Sequence, residues 1–172
     1  MENQTFQIVN AQSNIDWVGK KVTGAHNGTI AIKEGQLTVN GNQLTGGTFV
    51  VDTTSIKILD IADLATNAQF LGHLVSDDFF STQQYPEATL VIRSVSGKHI
   101  NGDLTIKGIT HPVSFDADVT VNGAQLTASG KIVIDRTKYE MRFRSGNFFK
   151  DLGDTLIYND FELSITLTAK AA

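Results

Sequence analysis

The chain carries four histidines, His26, His73, His99 and His111, and no cysteine. Without cysteine there is no disulfide, no thiolate metal ligand and no thiol nucleophile. A metal site needs converging ligands, and these histidines are scattered. His73 and Asp77 stand four apart and share a face if that segment is helical, but two ligands of mixed type read as a surface pair. There is no Gly-x-Ser-x-Gly elbow and no Gly-x-x-x-x-Gly-Lys phosphate loop. The carboxylate pairs Asp60/Asp63, Asp77/Asp78, Asp116/Asp118 and Asp151/Asp154 fall in loops or on wet strand faces and read as solvated charge. No catalytic residue and no metal ligand is assigned.

Two polar residues stand out by their company. Between Lys21 and Lys33 the even positions Val22, Gly24, His26, Gly28, Ile30 and Ile32 alternate with Thr, Asn, Ala and Lys. Period-2 alternation therefore places His26 on the buried face of a strand. A buried imidazole needs a partner. That partner is either a core carbonyl or hydroxyl, or the polar head of a ligand inside a barrel. Arg136 shares parity with Ile132 and Ile134, which turns it inward near a barrel mouth. If the strand ends at Asp135, Arg136 instead pairs with an acid at the surface. Of the 10 Phe, 3 Tyr and 1 Trp, six (Phe70, Phe79, Phe80, Tyr85, Phe148 and Phe149) lie outside regular strands. They either plug a barrel end or wall an apolar pocket, since an eight-stranded barrel fills itself or holds one ligand.

The elements that must position these residues are strands. Leu37/Val39, Phe49/Val51, Leu90/Ile92, Leu104/Ile106 and Phe115/Ala117/Val119 are inward sets by the same alternation. Leu126/Ala128, Ile132/Ile134 and Phe161/Leu163/Ile165/Leu167 extend the pattern. Turns are expected at Asn40-Gly41-Asn42, Gly46-Gly47, Asn101-Gly102-Asp103 and Asn122-Gly123. Turns this short make the strands antiparallel. Gly24 and Gly28 read as close-packed strand positions. One stretch differs: between Asp60 and Pro86, Phe70, Leu71 and Leu74 have helical spacing, with Thr66 or Asn67 placed to cap. Eight or so antiparallel strands in one small domain make the fold class all-β and point to a barrel or a sandwich, with a short helical insertion around residues 64–80, and residues 1–172 form a single domain.

Composition narrows the function. The 172 residues carry 14 basic and 18 acidic side chains, and a net charge of −4 disfavours nucleic acid. The longest apolar runs, such as Ile132–Ile134, are far short of the ~20 residues a spanning helix needs. No basic-then-apolar leader opens the sequence, which predicts a cytoplasmic protein, or a periplasmic one if a leader has been removed.

The stretch Ile15-Asp16-Trp17-Val18-Gly19-Lys20-Lys21-Val22-Thr23-Gly24-Ala25-His26-Asn27-Gly28 resembles the opening signature of YceI-like proteins, the lipid- and polyisoprenoid-binding family. Four further blocks match in order: Phe49-Val50-Val51-Asp52 with Ser55-Ile56; His73-Leu74 with Asp78-Phe79-Phe80 and Tyr85-Pro86; Leu104 through Val113; and Asp135-Arg136-Thr137 continuing to Gly153-Asp154. The chain departs from the family after Arg136, where Lys138-Tyr139-Glu140 replaces a pattern of Asp, an aromatic and Gly.

The resemblance implies an elongated, antiparallel eight-stranded lipocalin-like barrel holding a long-chain amphiphile, such as a polyisoprenoid, an isoprenoid quinone or a fatty amide, and a homodimer without enzymatic activity. The chain has no cofactor beyond such a bound quinone or fatty-acid-like ligand, no nucleic-acid partner and no integral membrane association on this reading. Inward parity and the aromatic insertion then supply the ligand-contact set. Trp17, Val22, His26, Ile30, Phe49 and Val51 come from the first strands. Phe70, Leu74 and Phe79 come from the insertion, and Leu90, Ile92, Ile132, Ile134 and Arg136 from later strands. Two alternatives stand beside this carrier: a closed barrel used for protein interaction in stress responses, and a small-molecule enzyme with His26 as base and a carboxylate beside it.

Overall fold

A computed structural model describes residues 3–21, 24–77, 79–141 and 157–172. Nine strands follow one another: β1 (Asn3–Ile8), β2 (Asn14–Lys21), β3 (Gly24–Asn40), β4 (Gln43–Ile58), β5 (Glu87–Ser96), β6 (His99–Ile106), β7 (Ile109–Asn122), β8 (Gln125–Asp135) and β9 (Ile157–Ala171). The helix α1 (Leu64–Leu74) interrupts them between β4 and β5. Every strand pairing is antiparallel.

The nine strands make a closed barrel of eight staves. β1 pairs with the far end of β3 (Phe6↔Leu37) and with the end of β9 (Phe6↔Ala171). β2 pairs with the other end of the same two strands, Ile15↔Ile30 and Ile15↔Ile165. β1 and β2 are thus one stave, broken by a 3-10 turn at Asn10–Gln12. The β3–β4 and β2–β9 ladders complete the ring.

Alternation accounts for the interior. In β3, Gly28, Ile30 and Ile32 are buried on even positions, then Leu37 and Val39 on odd ones. The parity changes at the irregularity between Ile32 and Glu34. An extra residue in one strand swaps the faces of everything after it. At one end of the barrel Phe6, Leu37, Val39, Leu44, Leu126 and Ala169 are at most 4% exposed. That end is solid core.

Two expected turns are not turns. Gly46-Gly47 lies within β4 and Asn101-Gly102-Asp103 within β6, while the chain reverses at Gly97-Lys98 and Lys107-Gly108. Crowding explains both glycines: a Cβ on Gly47 would stand 2.5 Å from the Gln36 carbonyl oxygen, and one on Gly102 2.6 Å from that of Val91. Gly24 has open space around it and is not a close-packed position. The α1 cap is Asp63, which accepts from the Thr66 amide, rather than Thr66 or Asn67.

Gly28 is the position that binds this architecture to its interior. A Cβ there would lie 1.7 Å from the Lys57 carbonyl oxygen and 2.6 Å from Trp17 Cζ2. Gly28→Ala must push β4 away or displace Trp17. It should lower unfolding free energy by about 1–3 kcal/mol, as overpacking does. Urea titration followed by Trp17, the single tryptophan, checks this; an unchanged midpoint contradicts it.

Candidate functional site

The other half of the barrel is not filled. A cavity of about 170 Å³ lies there beneath α1 and the segment that follows it. Its staves contribute Trp17, Ile30, Val51, Ile56, Leu104 and Ile106. β9 adds Phe161 and Leu163, while Phe70, Leu74, Phe79 and Phe80 form the roof. The wall is overwhelmingly apolar; of its buried polar neighbours, Thr53 has its hydroxyl already engaged, donating to the Tyr85 carbonyl at 2.7 Å.

Backbone and side-chain hydrogen bonds hold the roof in place. Asn67 Nδ2 donates to the Ile58 and Ile61 carbonyls, fixing the start of α1 to the end of β4. The Thr53 amide donates to Pro86, tying the other end of the insertion to β4. Lys107, in the β6–β7 turn, donates to the Asp77 and Glu140 carbonyls. α1 buries no residue fully, so these ties, with the half-buried Phe70, Leu71 and Leu74, position it.

Arg136 meets both conditions set by its sequence position. The strand does end at Asp135, whose carboxylate accepts from the Thr137 amide and hydroxyl and starts a 3-10 turn over Arg136–Tyr139. Arg136 nonetheless turns inward and is 3% exposed. Its Nε donates to the Tyr158 carbonyl at 3.1 Å and its Nη1 to that of Met141 at 2.5 Å. The guanidinium carbon lies 5.6 Å from the Phe79 ring centroid, a cation–π approach. Burial lowers its pKa to about 10, which Asp135 partly opposes, and it stays charged at neutral pH. Beside it, burial pushes the Tyr139 phenol up to about 12. The departure from the family pattern leaves Tyr139 buried and puts Glu140 in the left-handed region at φ 63°, where glycine would sit without strain.

His26 has a partner that composition did not reveal. Its Nδ1 lies 2.8 Å from Asp60 Oδ2, and the other carboxylate oxygen accepts from the Asn27 amide at 3.1 Å. Burial pulls the Asp60 carboxyl upward, but the Asn27 N–H and His26 outweigh it and hold the group below its usual value. The imidazole packs on Phe70, centroids 4.8 Å apart. Asp60 lies in an exposed connection, as expected, but is an ion-pair and hydrogen-bond partner rather than a lone charge. Asp63 caps α1, while Asp116 and Asp118 pair with His99 and Lys98 at the surface. His73 is not a surface pair with Asp77: it lines the cavity and meets Phe79 edge-on at 5.0 Å. Among the described residues no group of three His, Asp or Glu side chains could hold a metal.

A family model of the YceI-like domain matches residues 6–169. The chain belongs to the YceI-like family. It is similar to a UPF0312 protein of Staphylococcus aureus, 42% identical over 81 residues, which cover 42% of this chain and 46% of that relative. A UPF0312 protein of Staphylococcus epidermidis is 40% identical over 105 residues, 54% of this chain and 60% of the relative. The chain spans about half the length of the curated relatives it matches. Among solved structures, BcnA of Burkholderia cenocepacia superposes with a TM-score of 0.70 at 23% identity, covering 95% of this chain and 99% of BcnA. A polyisoprenoid binding domain from Saccharophagus degradans, implicated in plant cell wall breakdown, gives 0.69 at 13% identity, covering 99% and 100%. These two likenesses establish the YceI-like barrel as a fold.

Within that barrel the expected contact residues divide. Trp17, His26, Ile30, Val51, Phe70, Leu74, Phe79 and Arg136 stand around the cavity. Phe49, Leu90, Ile92, Ile132 and Ile134 do not: they are buried side chains of the packed core. Ile132 and Ile134 lie opposite Leu163 and Phe161, and those two face the space. Parity identified the described inward residues apart from Gly24, which is exposed, but could not say which half of the stave is filled. Val22, Phe148, Phe149, Asp151 and Asp154 lie outside the described residues. Parity missed Asp60, because it lies in the connection after β4, where no periodicity applies.

Because Asp60 sits below its usual value when folded, its stabilising contribution is present above the unfolded value of about 3.9 and is lost as pH falls through the folded one. Asp60→Asn should therefore be less stable than the parent at neutral pH, and the gap should close below about pH 4. Urea titrations of both proteins across that range check this; a pH-independent gap contradicts it.

Proposed function

We propose that the chain is a non-enzymatic carrier that sequesters one long-chain amphiphile, a polyisoprenoid, isoprenoid quinone or fatty amide, in the unfilled half of the barrel. The observation that carries this reading is the apolar cavity under α1, walled overwhelmingly by aromatic and aliphatic side chains. Burying each methylene is worth ~0.8 kcal/mol, so a chain binds well in such a space with few polar contacts. The membership in the YceI-like family supports it, as does the shared fold with a polyisoprenoid binding domain. A filled barrel used only as an interaction surface has no need of this space. The homodimer implied by the family resemblance belongs to the same proposal; exposed Val133 and Tyr158, on adjacent strands, are apolar surface it could cover. Sedimentation velocity reads it.

One observation favours a second reading. Asp60 beside His26 is the acid that base catalysis at His26 would require. Mass spectrometry separates the two: a lipid recovered unchanged after prolonged incubation supports the carrier, and a converted one supports the enzyme.

Native mass spectrometry of protein from its own host should show a bound amphiphile. Ala88, buried on the cavity wall, offers the matching mutation. Ala88→Phe should fill the space and weaken uptake of a long-chain isoprenoid at least tenfold, about 1.4 kcal/mol, with the circular dichroism spectrum unchanged. Uptake equal to the parent's contradicts the assignment of the site.

A further inference from the structure

Asp60 places its two carboxylate oxygens on different donors, the Asn27 amide and the His26 ring. An ionised carboxylate can only accept. The 2.8 Å contact at Nδ1 therefore puts the ring proton on Nδ1, and in the neutral ring Nε2 is left as a bare acceptor. Among the described residues the ring makes no second hydrogen bond, and it lines the cavity. Packing on Phe70 restrains its rotation. The main-chain register adds to this: His26 sits opposite Gly19, so no side chain from β2 covers the ring at that rung.

Resting on the carrier reading above, we infer that His26, oriented by Asp60 and Phe70, is a head-group subsite selective for a hydrogen-bond donor. An isoprenoid alcohol, a quinol or a primary amide would place its O–H or N–H on Nε2. An ester, an ether or an oxidised quinone offers only lone pairs and would set acceptor against acceptor, leaving both groups without the water they gave up. The subsite would thus tell reduced from oxidised, and free from esterified, forms of the same chain. His26 is the contacting residue; Asp60 is a positioning residue.

The test uses the whole chain in alkaline buffer, where imidazoles are uncharged. Farnesol and farnesyl methyl ether are titrated, with Trp17 emission as the readout, since Trp17 lines the cavity and is the single tryptophan. The parent should bind the alcohol about fivefold to tenfold more tightly, the worth of one hydrogen bond. In Asp60→Asn the amide oxygen can keep the Asn27 N–H while the amide nitrogen donates to Nδ1, moving the ring proton to Nε2. Discrimination should then fall to within about twofold. His26→Phe should also lose it while keeping the aromatic contact. Nitrogen NMR of the imidazole gives a readout independent of binding: a protonated Nδ1 in the parent and a protonated Nε2 in Asp60→Asn. Equal binding of both probes by the parent, a preference retained in either variant, or the same tautomer in parent and Asp60→Asn overturns the subsite and leaves the carrier standing. Binding of neither probe by the parent overturns both.

Discussion

The whole structure depends on closure of the hydrogen-bonded ring. A sheet edge leaves a row of unpaired N–H and C=O groups that something must cover. Here β3 pairs with β4, and the split stave β1/β2 pairs with β9, so the ladders run round without a free edge. Backbone groups then ask nothing of the interior, and side chains alone decide how it is used. That freedom is what permits one end to be solid and the other to hold a space. Side chains that leave an apolar space of about 170 Å³ between them give up contacts with one another on the order of 4 kcal/mol by the usual volume dependence. A barrel with closed ladders can carry that loss; an open sheet that relied on the same contacts to protect its edge could not.

The asymmetry between the two ends follows from where the chain is regular. At the solid end the tight turns after β3, β5 and β7 meet the start of β1 and the end of β9, and Phe6, Leu126 and Ala169 are wholly buried. At the other end the β4–β5 connection is a long insertion. Its helix has no fully buried residue and is held by side chains reaching carbonyls, from Asn67, Thr53 and Lys107. An element attached by a few polar ties over an apolar space is less deeply anchored than a stave. Local opening of such elements costs less than global unfolding, so this end can open without breaking the ring.

Much of this was legible in the residues, for reasons that differ by element. Alternation is a local consequence of strand geometry, so the inward sets of β5, β7, β8 and β9 could be read directly. Asn122-Gly123 marked a true turn for the same local reason. Gly46-Gly47 and Gly102 misled because close approach of strands demands glycine as strongly as a tight turn does, and only the paired strand tells them apart. The site was half legible. His26 and Arg136 could be flagged as polar residues at inward positions, yet Phe49, Leu90 and Ile92 have the same signature as Ile30 and Val51. What separates core from cavity wall is the height along the barrel, a quantity set by stagger between strands rather than by any one of them. Asp60 was out of reach for another reason: its contact with His26 spans 34 residues of sequence and rests on the path of a connection without periodicity.

Arg136 and His26, both at the cavity, differ in what they can contribute. Arg136 has its Nε and Nη1 committed to main-chain carbonyls and its face set on Phe79. Those bonds close the turn after β8, so its charge serves the wall of the site before it serves any ligand. His26 is committed on one edge only. Chain burial at ~0.8 kcal/mol per methylene adds up alike for every ligand of equal length, so the walls supply affinity and little discrimination. A single oriented hydrogen bond is worth only about 1 kcal/mol, small beside the chain term. That small term is also the one that differs between ligands with the same tail. Selectivity in such a barrel therefore has to reside in polar atoms whose proton positions are fixed by a neighbour, and Asp60 is such a neighbour to the His26 ring.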